Sequence, residues 1–386
     1  MRRMVGATVV CWMVLGGSLW GQSGPEPAAP CPDCCPNPPC EPPPPEYPQR
    51  LAFYYPWWDG TAPGLQPGGP CPRGNRADSR GYCPKWSEMV NFWYQPDFDV
   101  NGRFDPAVDL YNDNDPQVVA TQLARAAYAN IDGLIVSWWG SGSPEHGKLL
   151  NSVLPAVRGQ SRVAVTMYYE SKGRSDENSV TDGINSFIAL YQSDPTRIVT
   201  TGNGRPVLFV YRPWYDGRDG CLFFQHWNQA LATAQARLGI RPFLIVDFGQ
   251  SAFDNCRSNH SASDYGWHTY DPGEGSYYTE RSAYGFRHTQ TLRPGFARHC
   301  WPQESHGPRE CRYPGTEYGT ARNDGAFVNA VVSANNWWRR PRYFQLITSW
   351  NEWLEFSSVE PAKQWVGENK GPYGRYLQIL SWYPLP

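Results

Sequence analysis

At 386 residues the chain is long enough for one large α/β barrel or for two smaller domains, and length alone does not choose between them. A formal charge of -2 with 18% charged residues excludes a basic nucleic-acid footprint and a polybasic membrane patch, which leaves neutral ligands as the natural partners. Aromatic residues are the outlying class: 18 Trp, 23 Tyr and 16 Phe exceed what the core of an ordinary domain uses, so some of these rings are candidate platforms for sugar faces.

The chain begins MRRMVGATVVCWMVLGGSLWGQSG, with Arg2 and Arg3 ahead of an apolar stretch from Val5 to Trp20. Residues 1–23 resemble a secretory signal peptide, and roughly 16 apolar residues are short for a spanning helix. Cleavage is therefore expected, giving a secreted, periplasmic or extracellular protein without stable membrane insertion. Cys11 lacks the small-residue context of a lipoprotein acceptor. The other ten cysteines, an even number in an exported chain, read as disulfides. Proximity suggests Cys71 with Cys83 and Cys300 with Cys311, which would leave Cys221 with Cys256, but spacing alone does not fix the connectivity. Residues 24–50 are dominated by Pro and Cys and read as a stiff tether ahead of a catalytic domain over 51–386.

Beyond the tether, apolar runs alternate with helical patterns. Seven strands are expected at 51–57, 131–139, 163–170, 206–212, 242–248, 265–270 and 343–350, with a weaker eighth near 292–299, where Arg293, Pro294 and Gly295 intervene. Asp115 caps and Pro116 opens a helix whose apolar face runs through Val119, Leu123 and Ala127. Trp227, Leu231, Ala234 and Leu238 mark a second helix, and Phe327, Val331, Ala334 and Trp338 a third. A final helix spans about 373–382 with Tyr376, Ile379 and Leu380 inward. Nearly continuous apolar strands alternating with helices imply a parallel sheet covered outside by helices. FYYPWWDG is no glycine-rich phosphate turn, so a closed (β/α)8 TIM barrel is favoured over an open doubly wound sheet. The long connection at 59–114, with a possible Cys71–Cys83 clip, reads as a wall of the cleft.

The strand ends share a composition. Tyr54, Tyr55, Trp57 and Trp58, then Trp138 and Trp139, then Tyr168, Tyr169 and Glu170, then Tyr211, Asp247, Tyr270 and Asp271 lie at or just past C-terminal ends, which converge on one face of a barrel. Last comes ITSWNEWLEF, which offers Glu352 and Glu355. Glycoside hydrolysis needs such a carboxyl pair, one group to protonate the leaving oxygen and one to act on a nucleophile or its proton. Trp350 and Trp353 flank the pair and would desolvate one acid. Any single ring here reads equally well as a plug of the barrel mouth. The pattern repeated over seven strand ends reads as a sugar-binding cleft. GSPEHGKL (142–149) matches phosphate-loop spacing through Lys148, but Leu149 replaces the magnesium-holding Ser or Thr. There is no GxSxG and no HExxH. His268, His288 and His299 read as hydrogen-bonding partners, and neither metal nor cofactor is expected.

From about Leu51 to Leu380 these pieces resemble glycoside hydrolase family 99, the endo-α-mannosidase family. The resemblance is carried by FYYPWW, YNDNDPQVVATQLARAAYANIDGLIVSWW, VTMYYE, PVLFVY, WHTY and ITSWNEWLEFSSVEPA followed by YGRYLQIL. The family's late motif reads N-E-W-H-E-G-T-Q-I-E, matched here by Asn351, Glu352, Trp353, Glu355 and Glu360. The resemblance implies a (β/α)8 barrel, a metal-free reaction and retention of configuration. It further implies that Glu352 deprotonates the sugar 2-hydroxyl to give a 1,2-anhydro intermediate, with Glu355 as general acid and then base. Tyr55, Trp138, Glu170 and Tyr270 match cleft positions. With Tyr54, Trp57, Trp139, Tyr211, Asn351 and Trp353 they form the expected substrate-binding set, for an oligo- or polysaccharide handled by a monomer. Where the family has His and Gly around the second glutamate, this chain has Leu354 and Phe356. A narrowed, more apolar rim and altered substrate choice are expected. Two alternatives stay open: a non-catalytic glycan-binding barrel and a sugar-transferring enzyme of polysaccharide assembly.

Overall fold

The structure is a computed structural model that describes residues 49–57, 112–159, 162–171, 176–212, 220–247, 256, 264–268, 270, 288–294, 296–297, 319–320, 324–337, 344–352, 357–361 and 374–385. The leader, the tether up to residue 48, the connection 58–111, and Cys71, Cys83, Cys300 and Cys311 lie outside the described residues. So do Trp58, Asp271, Trp338, Trp353, Leu354, Glu355 and Phe356.

Eight parallel strands close into a (β/α)8 barrel. They are β1 (Gln49–Tyr54), β2 (Gly133–Trp138), β3 (Ala164–Glu170), β4 (Val207–Tyr211), β5 (Phe243–Asp247), β6 (Tyr265–His268), β7 (His288–Leu292) and β10 (Phe344–Ile347). Spatial order follows chain order, and β1 closes the ring by pairing with both β2 and β10, Leu51 opposite Gly133 on one side and Leu346 on the other. Strand β1 starts at Gln49, two residues before the expected domain start, and stops ahead of Pro56. The weak strand expected near 292–299 lies instead at 288–292, as β7. Pro294 has no N–H to donate, so the run past it leaves the barrel, and β8 (Phe296–Ala297) pairs antiparallel with β9 (Gly319–Thr320).

Strands β1 to β6 and β10 are buried on both faces. Leu51, Phe53, Tyr55, Ile135, Tyr168, Val207, Phe209, Phe243, Ile245, Phe344 and Leu346 point inward and fill the barrel. The alternate residues point outward and join the helices in a second, larger core. Helix α1 (Pro116–Tyr128) has the expected cap, with the Asp115 carboxylate accepting from the Gln117 N–H at 2.8 Å. Helix α2 (Pro144–Lys148), a π turn (Leu149–Val153) and α3 (Leu154–Arg158) form one continuous rod. Ser143 caps it through the His146 N–H at 3.2 Å, so the stretch with phosphate-loop spacing is a helix with a side-chain cap.

Helix α4 (Glu177–Ser193) was not expected. Its sequence is rich in Ser, Asn and Thr, yet Val180, Gly183, Ile184, Phe187 and Ile188 form a buried 3.6-residue face. Gly183 is needed for close approach, since a Cβ there would come within 2.5 Å of the Tyr169 ring. Helix α5 (Gly220–Leu238) buries Trp227, Leu231 and Ala234 as expected. Helix α6 (Asp324–Trp337) buries Phe327, Val331 and Ala334, and α7 (Arg375–Trp382) buries Tyr376, Ile379 and Leu380. Among the described residues no helix is long and apolar enough to cross a membrane.

Cys221 of α5 is bonded to Cys256, with Cα atoms 4.9 Å apart at a sequence separation of 35. Closing a loop of that length restricts the unfolded chain, and Cys256→Ser is expected to lower the unfolding free energy by about 3 kcal/mol. A urea midpoint unchanged from the parent's would show that the bond contributes nothing.

Candidate active site

Side-chain alternation decides what faces the barrel mouth. On β1, Phe53 and Tyr55 point in. On β2, Ser137 shares their parity and leads to Trp139. On β3 it is Tyr168 and Glu170, on β4 Tyr211, on β5 Asp247, and on β6 His268 followed by Tyr270. The Tyr55 hydroxyl donates to that of Tyr270 at 2.7 Å, and the Tyr55 and Trp57 rings lie 4.5 Å apart. Tyr270 stacks on Tyr168 at 6.2 Å and meets Tyr211 edge-on at 5.8 Å. Four of the expected substrate-binding tyrosines and tryptophans, Tyr55, Trp57, Tyr211 and Tyr270, are thus gathered around one mouth.

Polar groups are threaded between these rings. The Trp139 indole N–H donates to Ser137 Oγ at 3.1 Å, and the Ser137 hydroxyl donates to Glu170 Oε1 at 2.7 Å. Asp247, fully buried, accepts from the Tyr270 N–H at 2.8 Å and faces Arg212 Nε at 3.5 Å. Burial, reinforced by Asp247, Tyr55, Glu170 and Tyr211, pushes the Tyr168 phenol well above its ordinary pKa. It stays a donor at any physiological pH, and among the described residues its oxygen has no hydrogen-bond partner. Ser137 and Arg212 were not anticipated, although the inward parity of Ser137 could be read from its spacing to Ile135 and Trp139.

Glu352 is 2% exposed just past β10. It rides on a short paired segment. The Ser349 N–H donates to Ser357 O at 2.8 Å, Val359 N–H to Ser349 O at 2.9 Å and Glu360 N–H to Trp350 O at 2.9 Å. The Trp350 N–H donates to Phe53 O at 2.7 Å, tying the segment to β1. The Glu352 N–H itself donates to Ser349 Oγ at 2.7 Å, and that hydroxyl lies 2.9 Å from Ser357 Oγ. The Thr348–Ser349 peptide is cis. This framework fixes where the Glu352 side chain starts.

Three expected binding residues have other surroundings. Tyr54 has the outward parity of β1, is fully buried, and contacts Asp113 and Gln122. Trp138 likewise points outward, stacks on Tyr169 at 5.7 Å and donates to His146 Nδ1 at 2.9 Å. Neither lines the mouth, because neighbours along a strand face opposite ways. Asn351 clamps the end of β1: it accepts from the Tyr55 N–H at 2.7 Å and donates to Tyr55 O at 2.9 Å. Losing two buried hydrogen bonds, Asn351→Ala should be destabilised by about 2 kcal/mol. A parent-like denaturation midpoint would count against the clamp. Glu360 also points away from the mouth and accepts from Gln122 Nε2 at 2.8 Å. Among the described residues no cluster of three His, Cys, Asp or Glu is arranged to hold a metal.

Comparison with solved structures finds the same fold. The GH99 endo-α-mannosidase from Bacteroides thetaiotaomicron, in complex with bis-tris-propane, superposes with a TM-score of 0.56 at 18% identity, covering 87% of this chain and 96% of that one. A glycoside hydrolase-like protein superposes with a TM-score of 0.54 at 13% identity, covering 91% and 98%. At such identities the likeness is one of fold. Comparison with curated proteins gives no significant match. The family model for glycosyl hydrolase family 99 matches residues 49–242, which run from the first residue of β1 to the residue before β5 and make up half of the sequence. With eight strands closing the barrel that this family's structures share, the chain belongs to glycosyl hydrolase family 99.

Proposed function

We propose that the protein is an exported, retaining glycosidase that cleaves an α-linked oligo- or polysaccharide with Glu352 and Glu355. The observation that carries this reading is the burial of Glu352 just past β10, its backbone N–H held by the Ser349 hydroxyl, at the end of the barrel where Tyr55, Trp139, Tyr211 and Tyr270 form the mouth. Aromatic faces and hydroxyl donors suit a neutral sugar, and Glu170, fixed by Ser137, offers an acceptor for sugar hydroxyls. In the route implied by the family, Glu352 takes the proton of the 2-hydroxyl as that oxygen attacks C1. Glu355 protonates the departing glycosidic oxygen, then draws a proton from the water that attacks C1, while the C1–O2 bond of the anhydro ring breaks and Glu352 returns its proton to the 2-oxygen. The proton count closes over the cycle. Leu354 and Phe356 are proposed to shift selectivity away from the family's α-mannosides.

The test is a screen of the purified mature protein against a panel of α-linked glycans, with product stereochemistry read by NMR. Release of α-configured product from an α-linkage, with no metal added, supports the reading. Tight binding without turnover across the panel would instead identify a glycan-binding barrel. N-terminal sequencing of protein recovered outside the cytoplasm tests the export proposal.

A further inference from the structure

Arg212, the residue after β4, sits in a backbone conformation that its side chain disfavours. Its φ is +32°, inside the left-handed region where a β-carbon crowds the following carbonyl and glycine is the usual occupant. The other such residue among the described ones is Asn130, a type that tolerates this region. Strain of this kind at a bulky residue beside a candidate active site points to a task for its side chain.

What the conformation achieves is a change of side. Neighbours along a strand face opposite ways, so after the inward Tyr211 an extended Arg212 would point out toward the helices. Instead its guanidinium carbon lies 5.4 Å from the centre of the Tyr211 ring, and its Nε lies 3.5 Å from Oδ2 of Asp247, an inward residue of β5. Both partners of this ion pair are buried, so salt and solvent screen it little. The turn is anchored from the end of β3, where the Ser171 hydroxyl donates to Tyr211 O and to Arg212 O, the latter at 2.7 Å. Asp247 Oδ1 in turn accepts the Tyr270 N–H at 2.8 Å, while the Arg293 guanidinium donates to Tyr270 O. Main-chain groups on both sides of the Tyr270 ring are thus held, and its hydroxyl meets that of Tyr55 at 2.7 Å. Tyr55 is itself clamped by Asn351, the residue before Glu352.

We propose that Arg212 and Asp247 are a positioning pair for substrate recognition: the left-handed turn brings the guanidinium against Asp247, and Asp247 holds the Tyr270 main chain so that the Tyr55–Tyr270 contact forms at the mouth. The strained turn is kept for the cation it delivers, since glycine would follow the same path at less cost and carry no charge. Both residues act through Tyr270, and neither is assigned a contact with the sugar. The placing of Tyr270 stands without any enzymatic activity, whereas its consequence for turnover rests on the glycosidase reading.

Arg212→Gly and Arg212→Ala separate the two demands on this position. Both remove the cation, but only glycine accepts the left-handed conformation freely, so the unfolding constant of Arg212→Gly should be about fivefold below that of Arg212→Ala. Equal unfolding constants would overturn the strain. Amide exchange at Tyr270, read by NMR against the β4 amides of 207–210 as a measure of global opening, should nevertheless rise about tenfold over the parent in both. Asp247→Ala should raise it likewise, and Asp247→Asn, which keeps an acceptor oxygen, should recover part of the protection. The double variant Arg212→Gly/Asp247→Asn leaves no lone buried charge, so it carries the same comparison where the single variants do not fold. Parental protection of Tyr270 in Arg212→Gly or in the double variant would overturn the proposal.

On a glycan from the screen, both Arg212 variants should lose about tenfold or more in kcat/KM, although their stabilities differ. Activity that follows stability instead, with Arg212→Gly close to the parent, would overturn the role in recognition. If the parent turns over nothing, the glycosidase reading fails while the exchange results still decide the placing of Tyr270.

Discussion

Glu352→Gln is expected to lower kcat on the glycan identified by screening by about 10²-fold or more, close to 3 kcal/mol in barrier. The amide is isosteric, and the bonds that place the turn run through the Glu352 backbone, Ser349 and Ser357, none of which changes. What disappears is the ability to take a proton. Substrate affinity, measured by calorimetry, should stay within a few fold because the surrounding rings and Glu170 are untouched. Glu355→Gln should behave similarly, with the loss smallest for substrates whose leaving groups need no protonation. Parental turnover by both variants would remove these residues from the chemistry.

A second large effect is expected at the opposite end of the barrel. Arg50 of β1 is fully buried, and its guanidinium donates to Gln345 Oε1 at 2.5 Å, Ala129 O at 3.3 Å, Leu380 O at 3.0 Å and Tyr383 O at 2.8 Å. Ala129 ends α1, and Leu380 and Tyr383 belong to the end of α7, so one cation satisfies the exposed carbonyls of two helix C-termini. Burial lowers its pKa to about 10, with Asp132 opposing, and it remains charged at neutral pH. Arg50→Ala strands these acceptors in the core and should cost about 5 kcal/mol or more. Arg50→Lys should recover only part of that, because one ammonium cannot fork across carbonyls of separate helices. A denaturation midpoint for Arg50→Ala close to the parent's would refute this account.

The barrel was legible because most of its strands are buried on both sides and announce themselves as apolar runs. The mouth was only partly legible. Listing aromatics near strand ends ignores parity, which is why Tyr54 and Trp138 were grouped with Tyr55 and Trp139, although Leu51 and Phe53 already indicate which side of β1 faces inward. Helix α4 was missed because its buried face is diluted by Ser, Thr and Gly, and Gly183 makes sense only once Tyr169 is beneath it. Glu360 could not be assigned from its motif, since its partner Gln122 is 238 residues away and contact at that separation leaves no local pattern.

The paired segment that carries Glu352 also bears on how such a site can diversify. Its bonds join Ser349 and Trp350 to Ser357, Ser358, Val359 and Glu360, and none of them uses a side chain from 353–356. The bonds therefore anchor the chain immediately before and after positions 353–356, which include the Leu354 and Phe356 expected to set substrate choice. For a directed library aimed at new glycans, positions 354 and 356 are the ones to randomise first, while Ser349, Ser357 and Glu360 should be left invariant.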